Sequence, residues 1–303
     1  MNSIKNILLP TDFSKNANQA LVYAVKLADV MAAKLTLLHV NTLFQEDPNN
    51  PDYHFPSLEE FYHKSEDTAD KNLQEMTSQH VHIKIENKVV RGFSPANEIV
   101  NFVNANKIEL VVIGTHGRTA LKHFLIGSVA EKVLRHVSCP VVSVSHHEHE
   151  MLTTPEIEKI IVPIDFSTFS KKALENAKEL AVLFKAKIKV IHVVDDTIHP
   201  AFYIAGEDSI FDIFPDVKEK TMKSLKELLP EDDNILSEDG LVIREGKPHV
   251  EIVKFADEEN ADLIVMATHG LSGIEHLLLG SVTEKVIRKA RCPVFAIKPI
   301  NQN

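Results

Sequence analysis

Leu110-Val111-Val112-Ile113-Gly114-Thr115-His116-Gly117, closed ten residues on by Gly127-Ser128-Val129, is the stretch on which the reading of this chain turns. Its first four residues are apolar without alternation, as a parallel strand covered by helices on both faces requires. The glycines that follow let a backbone approach a ligand without a Cβ in the way. A helix opening at Gly127-Ser128-Val129 offers unpaired amides and the positive end of its dipole, with the Ser128 hydroxyl beside them. Strand, glycine turn and helix start together make a cradle for an anion such as phosphate.

The same stretch occurs twice. Gly114-Thr115-His116-Gly117 returns as Ala267-Thr268-His269-Gly270, and Gly127-Ser128-Val129 as Gly280-Ser281-Val282. Outward from it, Leu9-Pro10-Thr11-Asp12-Phe13-Ser14 returns as Val162-Pro163-Ile164-Asp165-Phe166-Ser167, His39-Val40 as His192-Val193, and Cys139-Pro140-Val141 as Cys292-Pro293-Val294. Every pair is separated by the same offset (165 − 12 = 153, 267 − 114 = 153, 292 − 139 = 153). A period this long means duplicated domains, since solenoid repeats run to roughly 20–50 residues. The polar segment from His146 to Glu158, with Pro155, reads as the linker. The expected organisation is therefore domain one over 1–146, a linker over 147–158 and domain two over 159–303.

Within copy one, apolar runs predict strands near 4–9, 35–40, 83–90, 110–114 and 141–144. Helical patterns lie between them near 15–32, 58–78, 95–106 and 128–136. In the first helix Ala17, Ala20, Leu21, Ala24, Leu27, Ala28 and Met31 share one face. Copy two repeats that face with Ala173, Leu174, Ala177, Leu180, Ala181 and Phe184. Strands alternating with helices imply an α/β fold, a doubly wound parallel sheet in each copy. Ligands of such sheets bind beyond the carboxyl ends of the strands, where strand order reverses. Asp12, Val40 and the Gly114 turn all fall at that edge.

These residues resemble the ATP-binding class of the universal stress protein family, whose signature is G-x2-G-x9-G-[ST]. The resemblance spans both halves. It implies a Rossmann-like five-stranded sheet of order 3-2-1-4-5 in each. By that pattern Asp12 and Gly114 would hold a ribose and the Val40 backbone would meet adenine. Gly117, Gly127, Ser128 and Val129 would hold the phosphates, with magnesium or manganese on the phosphate tail. Copy two matches at Asp165, Val193, Gly270, Gly280, Ser281 and Val282. It departs at Ala267, so a weaker second site is expected, through a positive φ at this position or a close approach to the ribose. The family also commonly pairs through its last strand, which implies a homo-oligomer or an intrachain pseudo-dimer.

Simpler roles compete for these residues. Asp12 and Asp165 suit helix capping, as do Ser14 and Ser167. His116 and His269 are expected to pack or touch phosphate rather than catalyse. Cys139 and Cys292, outside any CxxC pair, read as reduced, buried small hydrophobes. The His146, His147, His149 segment suits a solvated linker better than a metal site. The apolar loop Asp195 to Pro215, with Phe202, Tyr203, Phe211 and Phe214, is expected to pack over the sheet edge, a hydrophobic-ligand lip being the sharper alternative.

Composition narrows the function. The net charge of −10 opposes a nucleic-acid partner. No apolar run approaches the ~20 residues a membrane span needs, and the N-terminus lacks a signal-peptide pattern. A cytoplasmic protein is expected. There is no GxxxxGK[ST] loop and no GxSxG elbow. The leading expectation is an ATP-binding stress-response regulator with little or no turnover. A slow ATPase and a nucleotide-free module for a lipid or protein are the rivals.

Overall fold

The computed structural model describes residues 4–43, 58–115, 126–145, 156–195, 209–229, 234–270 and 279–298. The chain divides into two compact units, Asn2–Pro155 and Glu156–Asn303. The linker segment 146–155, with its three histidines, lies outside the described residues.

In the first unit the elements follow in the order β1 (Asn6–Pro10), α1 (Lys15–Val30), β2 (Lys34–Thr42), α2 (Leu58–Thr77), β3 (Ile85–Gly92), α3 (Pro95–Ala105), β4 (Leu110–Gly114), α4 (Ser128–His136) and β5 (Val141–Val144). The strands are parallel throughout and ordered β3-β2-β1-β4-β5. The second unit repeats this with β6 (Lys159–Pro163), α5 (Thr168–Phe184), β7 (Lys187–Val194), a short α6 (Ile210–Ile213), α7 (Pro215–Glu227), β8 (Leu236–Glu245), α8 (Pro248–Glu258), β9 (Leu263–Ala267), α9 (Ser281–Lys289) and β10 (Val294–Ile297). Its order is β8-β7-β6-β9-β10, again parallel. The expected order 3-2-1-4-5 therefore holds in both.

The core sits where the apolar pattern placed it. Leu110, Val111, Val112 and Ile113 are all buried, as are Leu263, Ile264, Val265 and Met266. Six of the seven expected face residues lie in α1 and the seventh, Met31, is its C-cap; all are buried. In α5 the same holds except at Phe184, which is half-buried. Cys139 is buried, but Cys292 is partly exposed, a correction to the symmetric expectation; neither forms a disulfide.

Duplication extends to the backbone. The non-glycine residues with positive φ among the described ones are Phe13, Ala32, Lys107, Phe166, Lys185 and Asn260. They form three pairs at the offset of the sequence repeat (166 − 13, 185 − 32 and 260 − 107 all equal 153). Each such residue costs about 1–2 kcal/mol, so the surrounding packing must enforce the same bends twice. The first strands are pinned alike. Glu109 Oε2 accepts from the Lys5 and Asn6 amides at 2.7 and 3.0 Å, and Asp262 Oδ2 from those of Glu158 and Lys159, both at 2.9 Å.

Of the apolar loop after β7, residues 196–208, including Phe202 and Tyr203, lie outside the described residues. Beyond them Ser209 caps α6, and Glu245 accepts from the Ser209 hydroxyl and the Ile210 amide. Phe214 is half exposed.

Candidate functional site

The carboxyl ends of β1, β2 and β4 open, together with α2 and the start of α4, onto a cavity of about 850 Å³. That volume suits a small organic ligand. Asp12, Val40, Gly114, Gly127, Ser128 and Val129 all line it. They are 117 positions apart in the chain (129 − 12), and the strand order alone gathers them. Gly117 and His116 lie outside the described residues.

The turn from β1 into α1 is built around Phe13, whose φ is 63°. Thr11 Oγ1 accepts from the Phe13 amide at 3.1 Å, and Asp12 Oδ1 from the Ser14 amide at 3.0 Å. Ser14 Oγ then accepts from the Ala17 amide at 3.2 Å. Capping of α1 therefore belongs to Ser14, and Asp12 is fixed in the turn just before it, at the cavity wall. The left-handed Phe13 lies against the His39 ring, centroids 4.5 Å apart. His39 Nδ1 is 2.9 Å from the Thr11 carbonyl oxygen. A carbonyl only accepts, so Nδ1 carries the proton. His39 thus positions the segment that carries Asp12. Its recurrence as His192 was the available sequence signal, without a role attached.

Gly114 does not have positive φ, which removes one of the two expected reasons for a glycine there. Close approach remains, but to protein. A Cβ at 114 would lie 2.9 Å from the carbonyl carbon and oxygen of Asn16 and 3.2 Å from the Ala17 nitrogen. Gly114 is the point where β4 meets the first turn of α1.

The helix starts at Ser128. Gly127 is the N-cap of α4 with φ −60° and ψ 143°, and no side chain caps the helix. The Gly127 amide donates to the Thr115 carbonyl at 2.7 Å, which ties the helix start to the end of β4. Gly127, Ser128 and Val129 line the cavity at the positive end of the helix dipole. The sequence reading missed the opposite wall. Phe61, Lys64, Thr68 and Asn72 of α2 also line the cavity, and their spacing of three and four residues was the legible signal.

Copy two reproduces the frame. Asp165 Oδ1 accepts from the Ser167 amide at 3.0 Å, and Ser167 caps α5 through the Ser170 amide at 3.1 Å. Phe166, with φ 64°, lies 4.7 Å from the His192 ring, and His192 Nδ1 donates to the Ile164 carbonyl at 2.7 Å. Burial pushes the His192 pKa down, against its bond to the Ile164 carbonyl and the Asp165 charge, which act to raise it. Gly280 caps α9 without a side-chain bond, so Ser281 and Val282 begin a helix equivalent to α4. Val193 lies in β7.

Residues of the copy-one cavity wall change in copy two, Asn41 to Val194 and Gly114 to Ala267 among them, and Asn16, whose backbone lies against Gly114, becomes Phe169. Thr283, in place of Ala130, donates to the Ala267 carbonyl at 2.7 Å. A Cβ on Gly270 would lie 2.6 Å from Asp165 Oδ2. In copy two this glycine makes room for the carboxylate itself. His269 Nδ1 lies 2.9 Å from Thr268 Oγ1, with its ring 5.8 Å from Phe169. Among the described residues no group of three or more His, Cys, Asp or Glu side chains could hold a metal ion. No helix among them is long and apolar enough to cross a membrane.

Comparison with known proteins gives the same two units. The model of the universal stress protein family matches residues 3–145 and again 156–298. Universal stress protein MJ0531 of Methanocaldococcus jannaschii is 39% identical over 145 residues, 46% of this chain and 82% of that protein. MJ0577 of the same organism is 32% identical over 156 residues, covering 48% and 96% respectively. The crystal structure of a universal stress protein from Archaeoglobus fulgidus covers 98% of this chain and 99% of its own, at 26% identity and a TM-score of 0.66.

Proposed function

The chain belongs to the universal stress protein family, and from that premise we propose that its first copy binds ATP. In this reading the protein is a stress-response regulator of little or no turnover. One observation carries it: the cavity lined jointly by Asp12, Val40, Gly114 and the uncapped start of α4. The chemistry of the wall fits a nucleotide. Asp12 offers a carboxylate for ribose hydroxyls, the Val40 backbone a polar edge for a base, and Gly127, Ser128 and Val129 amides for phosphate. Lys64 adds a cationic side chain to the same wall. A magnesium or manganese ion would ride on the phosphates, as the family resemblance implies.

Copy two is the weaker site, with Val194 and Ala267 in place of the lining residues Asn41 and Gly114, Phe169 in place of Asn16 beside Gly114, and the Asp165 carboxylate packed on Gly270. Calorimetric titration of the whole chain with Mg-ATP tests both statements. The expected result is one tight site per chain. Two equal sites would remove the asymmetry, and no heat or protection at millimolar ATP would remove the nucleotide reading. The family's pairing habit extends the proposal to association: residues 1–146 expressed alone should self-associate in sedimentation, and a stable monomer would refute this.

A further inference from the structure

The cavity of copy one contains a polar group that the fold leaves unsatisfied. Asn41, the second-last residue of β2, is 7% exposed and lines the cavity. Its Oδ1 accepts from the Ser65 hydroxyl of α2 at 3.1 Å. Its Nδ2 is buried and has no hydrogen-bond partner. Four described side-chain atoms share that condition, on Gln19, Asn41, Asn87 and Arg288, and only Asn41 lines the cavity. A buried amide donor without an acceptor costs free energy, so its retention calls for a partner that arrives from elsewhere.

Position favours a ligand base. Asn41 follows Val40 directly, and neighbouring residues of a strand point to opposite faces. The Ser65 bond places the Asn41 side chain toward α2, whose Phe61, Lys64 and Thr68 form the wall on that side. In this arrangement Oδ1 is engaged and Nδ2 is the end left to donate. The partner must therefore accept. A purine ring presents acceptor nitrogens along its edges, whereas its exocyclic amine in adenine only donates. Copy two has Val194 at this position and no such donor.

We propose that Asn41 is a specificity-determining residue of the first site, donating from Nδ2 to a ring nitrogen of the bound purine, with Ser65 as its positioning residue. This rests on the nucleotide reading above. Nδ2 is buried, so the proposal requires the amide to turn toward the cavity when the base enters.

The test is a binding cycle on the full chain. ATP and its 1-deaza, 3-deaza and 7-deaza analogues are titrated into wild type, Asn41→Leu and Asn41→Asp. The aspartate variant keeps the acceptor for Ser65 and lacks the donor, so it serves if the leucine variant fails to fold. Both variants should bind ATP roughly tenfold more weakly, as loss of one hydrogen bond predicts. One deaza analogue should bind wild type about tenfold more weakly and show no further loss in the variants, because the same bond is already missing. Equal ATP affinity in all three proteins overturns the assignment. So does an equal loss for ATP and every analogue, which would mark Asn41 as structural, with a bound water as its partner. Failure of wild type to bind ATP at all removes the nucleotide reading and this assignment together. That outcome is told apart by the wild-type titration alone.

Discussion

Gly114→Ala is the substitution whose consequence follows most directly from the structure. The added methyl would stand 2.9 Å from the Asn16 carbonyl group and 3.2 Å from the Ala17 nitrogen. Carbon atoms sit comfortably at about 3.5–4.0 Å, so β4 and the first turn of α1 must part by about half an ångström or more. These are backbone atoms and cannot rotate away. Overpacking of this kind costs about 1–3 kcal/mol. The displacement reaches the site, because Ala17 is bonded to Ser14 and Ser14 to Asp12. A loss of about 1.4 kcal/mol in binding is tenfold in affinity, and roughly that loss is expected for ATP. Urea unfolding and calorimetry on the same preparation measure the two effects. A variant with unchanged midpoint and unchanged ATP affinity would refute the close-approach account. The reciprocal change is not expected to be a mirror image. Ala267 is buried against a strand–helix pair that has settled around its methyl. Ala267→Gly should cost about 0.5–1 kcal/mol of stability and leave site two weak, since Asp165 still meets Gly270.

Other expectations can be checked in parallel. Ser128→Pro removes one first-turn amide and the hydroxyl, yet proline suits the first helical position after the extended Gly127; the fold should survive while ATP binding weakens at least about tenfold, and unimpaired binding would remove α4 from the cradle. ATP turnover should fall below the ordinary enzyme range of ~1–10³ per second; a rate within it, abolished by Asp12→Asn, would make the enzyme reading the better one. His192 has a folded-state pKa below its unfolded value, so the unfolded chain binds the proton first; its contribution to stability is present above pH about 6.5 and is lost as pH falls toward the folded pKa. His192→Phe should therefore show a flatter loss of stability than wild type between pH 7 and 5, and identical slopes would show that this ring does not titrate with unfolding.

Much of this architecture was legible because it rests on periodicity. An unbroken apolar run such as Leu110-Val111-Val112-Ile113 has few alternatives to a doubly covered parallel strand, and β4, α4 and β5 begin and end where the pattern placed them. Duplication then doubled every signal. What remained hidden depends on contact across the fold. Nothing local in Gly114 tells a positive-φ glycine from one pressed against the Asn16 carbonyl. The Ser14 cap and the Asp12 turn are two residues apart and compete for the same description until the bonds are seen. The α2 residues Phe61, Lys64 and Thr68 show their shared face in the three-and-four spacing, but only the folded chain brings that face to the cavity. The unsatisfied Asn41 amide can be recognised only once Ser65 is found beside its other end.

The two copies act as an internal control on which residues serve the frame and which serve the ligand. Features that hold the backbone recur at the same offset: the left-handed Phe13 and Phe166, the His39 and His192 rings against them, and the carboxylates of Glu109 and Asp262 that pin the first strands. Both halves must satisfy the same sheet, so these requirements cannot relax in either. Among the substitutions between copies, Asn41, Gly114 and Ala130 of the copy-one cavity wall and Asn16 beside Gly114 give way to Val194, Ala267, Thr283 and Phe169. Three of those four changes add bulk, and the one at Asn41 removes a polar donor. A frame kept intact while one of its two edges fills with larger or less polar side chains is what a division of labour between sites predicts. Exchanging the four residues of copy two for those of copy one should leave the unfolding free energy within about 1–2 kcal/mol of wild type and raise the number of ATP sites seen by calorimetry from one toward two. A stably folded exchange variant with one site would show that segments beyond these four positions set the difference.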